Sequence, residues 1–297
     1  MLAETDALVA RAGDGKESGG AMEPAGSGGL GTGKSPWRTG AGTVWRKRVA
    51  CPLALLSLAI LAWQWSVTVF GLPPSVVPAP MAVARALREN FAAIILPDLL
   101  FTLRTVGGGY VISILAGFSL AALCAQSKWL TRSVTPVAVM FMVLPNIILI
   151  PIFMVFLGFS PLVRVIAVAL QCAPIIALNT LAGFTDMEKS DRESLVAHGC
   201  SRWQIFRKYT LYKAMPQIFA GLKLGSIISI IVALGADFAM GKTGLGYRIK
   251  ISSSMVALDM VFATIIVAAL VGVAMFEIVS LVEKSVIVWK QGAGGDT

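Results

Sequence analysis

Residues 193–217 read ESLVAHGCSRWQIFRKYTLYKAMPQ. The stretch lies between two long apolar runs and carries the chain's only histidine together with Arg202, Arg207, Lys208 and Lys213. The chain around it is 56% hydrophobic and only 14% charged over 297 residues, with a mean hydropathy of +0.78. Soluble domains average about 25% charged residues, so this chain has too little polar material to clothe a water-facing surface. Its apolar residues gather in blocks close to the ~20 that cross a bilayer as a helix. These facts predict an all-α, polytopic membrane helical bundle in which 193–217 is a polar insert.

Working outward from the insert, about six transmembrane helices fit, at 49–71, 104–126, 135–157, 162–184, 216–236 and 260–283. Glycines 107–109 in the second and Pro145 and Pro151 in the third are tolerated where neighbouring helices re-satisfy the backbone. That implies a packed bundle. Most of the 25 Lys and Arg fall before the first span, between spans two and three, between spans four and five, and after span six. Arg85, Arg88, Arg104, Arg164, Lys242, Arg248 and Lys250 fall on the other side, and Lys223 lies within span five. The positive-inside rule then puts both termini and the loop 185–215 in the cytoplasm. The net charge of +9 reports topology and calls for no nucleic-acid partner.

Residues 1–44 are rich in Gly, Ala and Ser, a composition that cannot bury enough apolar surface to offset ordering entropy. They are expected to form a disordered cytoplasmic tail ahead of a membrane domain at 45–290, with a short C-terminal tail at 291–297. The apolar run begins too late for a secretory signal. GGLGTGKS at 28–35 satisfies the spacing of a phosphate-binding loop, but that loop works only between a strand and a helix. No apolar strand precedes it here and PWRTGAG follows, so it reads as glycine-rich tail. Cys51, Cys124, Cys172 and Cys200 are scattered without metal-like spacing and read as apolar filler.

The insert has its own folding chemistry. Ser190 and Glu193 form an S-x-x-E capping box that starts a helix near Asp191. Gly199 suits the left-handed residue that ends such a helix. Ser201 and Gln204 form a second box, starting a helix with Trp203, Ile205, Phe206 and Tyr209. A plain connector needs only a few residues, whereas this one is a helix, a corner and a helix. Trp203, Ile205 and Phe206 are expected as an exposed apolar cluster, which marks a contact site. His198 reads as a solvated or interface residue.

ESLVAHG followed by CSRWQIFRKYTL resembles the cytoplasmic E-A-A-x-x-x-G loop of binding-protein-dependent ABC importer permeases. Glu193 and Gly199 match the anchor positions, while Ser194 and Leu195 replace the alanines. Leu211 is kept from the following motif, Tyr209 stands at its hydrophobic position, Tyr212 replaces its proline, and Pro216 matches the next one. LPNIILIP (144–151), FLGFS (156–160), NTLAGF (179–184), GLKLG (221–225), GLGY (244–247) and LVEKSVIVW (281–289) resemble, in order, the sulfonate, taurine and nitrate subfamily. Many members carry Glu before the GLGY loop where this chain has Asp237, so a role attached to that Glu is not carried over.

The resemblance implies a type I ABC importer permease fold and no enzymatic activity in this chain. It implies a homodimer in the bacterial plasma (inner) membrane, a cytosolic ABC ATPase dimer that binds the ATP and Mg, and an extracytoplasmic solute-binding protein. It assigns ATPase coupling to the loop, here Glu193, Ala197, Gly199, Trp203 and Phe206. Its solute would be small, polar and organic, of the sulfonate, taurine or nitrate type or a heteroaromatic vitamin precursor.

Several roles stay open on the sequence. Glu193 either bridges to the ATPase, caps its own helix, or both; Trp203 and Phe206 pack on the chain's own spans or on the ATPase. Asn146, Gln171 and Asn179 either line a translocation pathway or hydrogen-bond between helices. Asp237 is expected at the water interface on the outer end of span five, with a pathway role as the alternative. Lys223 and Glu277, both roughly 10 Å in from the cytoplasmic face, are expected to pair, because a lone charge at that depth is costly. The rival reading, an ion-coupled secondary transporter or channel, predicts internal repeats with paired broken helices, and no convincing repeat is present.

Overall fold

A computed structural model describes residues 41–71, 73–187 and 189–288, and these are helical or in turns, with no strand among them. The phosphate-loop-like 28–35 and the 291–297 tail lie outside the described residues, as does the 1–44 tail up to residue 40. The chain divides into two compact units, 1–56 and 57–297. Of the first, only the start of helix α1 (Ala41–Val69) is described.

In the second unit, α2 (Pro80–Asn90) runs through a π turn (Phe91–Ile95) into α3 (Leu96–Cys124), making one apolar helix of 45 residues. Then come α4 (Lys128–Val143), α5 (Asn146–Leu157) and α6 (Pro161–Thr185). Short helices α7 (Lys189–Ala197) and α8 (Arg202–Ile205) lead through a second π turn (Phe206–Thr210) into α9 (Leu211–Met240). Helices α10 (Leu245–Ser254) and α11 (Leu258–Val286) follow. Prolines 80 and 161 sit in first turns, where the missing N–H costs nothing.

Among the described residues, four helices are long and apolar enough to cross a membrane: 80–124, 161–185, 202–240 and 258–286. The expected third span, 135–157, is not one straight helix. It breaks into α4 and α5 with a bend of 95°. The cause is Pro145, which forces Leu144 into extended backbone (ψ 122°) and supplies no N–H to continue the ladder. Counted as one span, the bent pair makes a fifth, and α1 adds the shorter apolar stretch Ala54–Val69.

Helix α6 is the centre, packed against α3, α9, α4 and α5. Small residues let the backbones approach, as membrane helices require. On α3, Gly109, Ser113, Gly117 and Ala121 recur every four residues and are all buried. A Cβ on Gly109 would stand 2.9 Å from the Val165 carbonyl oxygen, and one on Gly117 2.8 Å from that of Ala173. On α9, Gly221, Gly225, Ser229, Ala233 and Asp237 repeat the spacing, which places them on one face. The buried Ser113 and Ser229 hydroxyls donate to carbonyls of their own helices (both 2.7 Å), and Tyr110 donates across to the Leu222 carbonyl (2.7 Å). These three hydroxyls are thereby satisfied without water. At one end α2, α10 and α11 close around Leu245 and Ile95; at the other α3, α6 and α9 close around Cys124, Leu181, Phe184 and Ala214.

Candidate functional site

The polar insert forms a corner at the α7 end. Helix α7 begins at Lys189, so Ser190 lies inside its first turn and does not occupy the N-cap position expected of it. The C-terminus is as expected: Gly199 is left-handed (φ 77°), with its N–H on the Val196 carbonyl (2.9 Å) and the Cys200 N–H on that of Leu195 (3.1 Å). That pair of bonds is a Schellman closure. The second capping box forms in full, Gln204 N–H to Ser201 Oγ (3.3 Å) and Ser201 N–H to Gln204 Oε1 (2.8 Å). Four rings then lead from the bundle to the surface: Phe118, Phe184, Phe206 and Trp203, with centroids 5.8, 5.4 and 6.0 Å apart. The expected exposed trio is corrected by this ladder. Ile205 is buried and Phe206 half-buried against the bundle, and Trp203 alone stands out, 66% exposed. Glu193, Ala197 and Val196 are exposed on α7.

At the opposite end lies a polar knot that sequence reading missed. Asp237 is 0% exposed, not at a water interface as expected. Its Oδ2 accepts from the Thr102 hydroxyl (2.7 Å), and its Oδ1 lies 3.4 Å from Nε of Arg164, itself 3% exposed, without hydrogen-bond alignment. The Arg164 guanidinium also sits over the Phe101 ring at 4.5 Å. Asp98 accepts from the Gly244 N–H (3.1 Å) and from Arg248 Nε (2.7 Å), and Thr102 Oγ1 accepts from the Leu245 N–H (3.0 Å). Side chains of α3 thus cap the start of α10, where four N–H groups have no helical partner. Two carboxylates face two guanidinium groups, the pairing that buried charges require. The GLGY stretch is explained by contact: a Cβ on Gly244 would fall 2.2 Å from Asp237 Oδ2, and one on Gly246 2.0 Å from the Leu234 carbonyl oxygen. At its far end α10 closes as α7 does, with Val256 N–H to Ser253 O (3.1 Å) and Ala257 N–H to Ser252 O (2.9 Å). Here, however, a valine holds the left-handed position, at φ 58°.

A profile of the family described as "Binding-protein-dependent transport system inner membrane component" matches residues 109–288, from the α3 glycine stripe to the end of α11. The chain belongs to this family. It is a membrane-spanning transport permease and not an enzyme. The permease is 25% identical to the riboflavin transport system permease protein of Chloroflexus aurantiacus, over 79% of this chain and 88% of that one. It is 23% identical to the formylaminopyrimidine transport permease protein of Halalkalibacterium halodurans, over 81% and 96%. It is 20% identical to the taurine transport system permease protein of Escherichia coli, over 76% and 84%. A solved structure of the MetNI methionine ABC transporter in inward-facing conformations shares the fold, with a TM-score of 0.52 at 20% identity over 65% of this chain and 98% of that one.

Other expected site residues of the permease are dispersed. Gln171 Nε2 donates to the Met142 carbonyl (2.9 Å), covering an open end of α4 beside the bend, and so joins two helices. Asn179 donates to the Ile175 carbonyl of its own helix (2.8 Å) and touches Gly221 of α9. Asn146 opens α5 at the bend, and its Oδ1 is buried without a hydrogen-bond partner. The expected Lys223–Glu277 pair is not formed. Lys223 pairs with Glu283, with Phe276 beneath its ammonium at 5.7 Å, while Glu277 faces outward. Glu283 lies six residues along α11 from Glu277, roughly 9 Å along the axis and on another face. Matching depth from Pro216 and Lys284 therefore paired the wrong turn of the helix.

Proposed function

We propose that the permease forms the translocation pathway of an ATP-driven importer as one of two identical copies, with its α7 corner docked on a cytosolic ATPase that binds the ATP and Mg. In this reading both termini and the corner face the cytoplasm, and the α10 end faces the solute-binding protein. The observation that carries it is the corner itself: two short helices rigidly joined by a Schellman turn and a capping box, with Trp203 projecting from the end of a ring ladder rooted in the bundle. A rigid projecting element with an aromatic anchor is suited to a partner groove. The solute is of the small polar organic class, in keeping with relatives named for riboflavin, formylaminopyrimidine, aliphatic sulfonates and taurine.

Co-purification with the ATPase tests the docking. Gly199→Val forces a β-branched residue into left-handed backbone and turns α8 off its line, while the spans are untouched. The expected result is normal membrane insertion with at least tenfold weaker ATPase association. Unchanged association would overturn the reading. Ligand-binding measurements on the partner solute-binding protein identify the solute.

A further inference from the structure

We infer that Asp191 and Tyr209 form a strut that fixes the angle of α7 against the bundle, making them positioning residues for energy coupling. The inference rests on the coupling reading above and goes further, because it says what keeps the docked helix from yielding. None of the described side chains of α7 is buried, so packing does little to hold this helix. Its C-terminal end is joined through the Gly199 Schellman turn to α8, which the buried Ile205 seats on the bundle. Asp191 is eight residues away, ~12 Å along the axis, and there the Tyr209 hydroxyl donates to Asp191 Oδ2 at 2.5 Å. Two holds at opposite ends of a lever prevent rotation about either one.

The partner side is built for this contact. Tyr209 lies in the π turn Phe206–Thr210, where the wider winding separates residues three apart more than an α turn does. Phe206 therefore faces Phe184 on the bundle while Tyr209 reaches α7. A short hydroxyl-to-carboxylate bond is about twice as strong as a neutral one, and this bond is the main reason the Asp191 carboxyl lies below the usual carboxylate range. Lys213 reaches the same oxygen only at 3.4 Å, from a long side chain that is itself about one-third exposed. Such ion pairs contribute little, so the hydroxyl carries the strut.

The test uses the permease–ATPase complex in lipid nanodiscs. In complexes that pair one labelled with one unlabelled permease copy, spin labels are introduced as unnatural residues at Ser194, exposed on α7, and at Met255, exposed at the opposite end of the same chain. The label–label distance is measured without nucleotide and after trapping with Mg2+, ATP and orthovanadate. With the strut intact α7 and the bundle move as one body, so the distance stays the same and narrow in both states. Tyr209→Phe and Asp191→Ala are expected to broaden it without nucleotide and to shift it on trapping by more than the parent's width. Lys213→Gln is expected to behave as the parent. A Tyr209→Phe complex as narrow and unshifted as the parent would overturn the strut, as would a Lys213→Gln complex that yields like Tyr209→Phe. Failure of the coupling reading itself appears separately, as undiminished ATPase association of the Gly199→Val permease.

Discussion

The corner at the α7 end and the knot at the α10 end are both short-helix structures mounted on the same three long helices, yet they are held by opposite means. The corner is made of neighbours in sequence: Gly199 with Leu195 and Val196, and Ser201 with Gln204. The knot is made of strangers, with Thr102 and Asp237 separated by 135 positions and Asp98 and Arg248 by 150. The corner is largely in contact with its surroundings; Asp237 and Arg164 are sealed from them. A locally coded element keeps its shape whatever the bundle does, which suits a part that meets another protein. A knot tied across α3, α6, α9 and α10 exists only when all four are in register, so it reports on the whole bundle.

That contrast predicts a descending series of effects on the global or local stability of the purified permease, read by thermal unfolding and amide exchange. Asp237→Ala should be the most damaging, because it leaves Arg164 buried without its counter-charge, a loss of roughly 3–5 kcal/mol. Adding Arg164→Met is expected to recover part of it; simple additivity would mean that the 3.4 Å contact carries no coupling. Next, Gly246→Ala forces a methyl against the Leu234 carbonyl, and backbone cannot swing aside, so about 1–3 kcal/mol is expected. Gly199→Ala meets no atom within 4 Å. Its cost is confined to left-handed backbone, about 1–2 kcal/mol, and should appear as faster amide exchange in 189–205 with an unchanged global midpoint. A lowered midpoint would show that the corner is not independent. The smallest effect has the opposite sign. Val256→Gly relieves left-handed strain at the far end of α10 and is expected to raise stability by about 1 kcal/mol.

The same contrast explains what could be read before any coordinates. The corner was legible because the Ser201–Gln204 capping box and the glycine stop are written within four or five residues, although the Ser190–Glu193 box was misplaced by a position. The long helices were legible from apolar content, and their small-residue stripes recur every four positions. The knot was not, because nothing local to Asp98, Thr102 or Arg164 names their partner. Arg164 counted as a loop charge even though Ser160 and Pro161 mark a helix start just before it. The one usable signal was an acidic residue and a threonine four apart at the start of an apolar helix, in a chain whose short helix at GLGY has no capping side chain of its own. The break in the third span was visible as Leu144-Pro145 but was read as a tolerated kink. Lys223 was assigned by depth alone, and depth leaves the helix face undetermined.

The π turn at Phe206–Thr210 has a consequence for how such a chain can vary. A π turn is in effect one surplus residue spliced into a continuous helix. Downstream of it, Leu211–Met240 keeps the stripe that meets α6; upstream, Arg202–Ile205 serves the corner. Removing one residue from 206–210 would return the turn to ordinary α winding and leave the upstream and downstream segments aimed as before, because the five residues of the π turn span about the same arc as four of an α helix. In unbroken α winding one added residue turns everything beyond it by about 100°, whereas here the wider turn takes it up, so the corner keeps its aim and α9 its buried contacts. In that sense the turn is a slack joint, a place where the chain between corner and bundle changes length without changing direction.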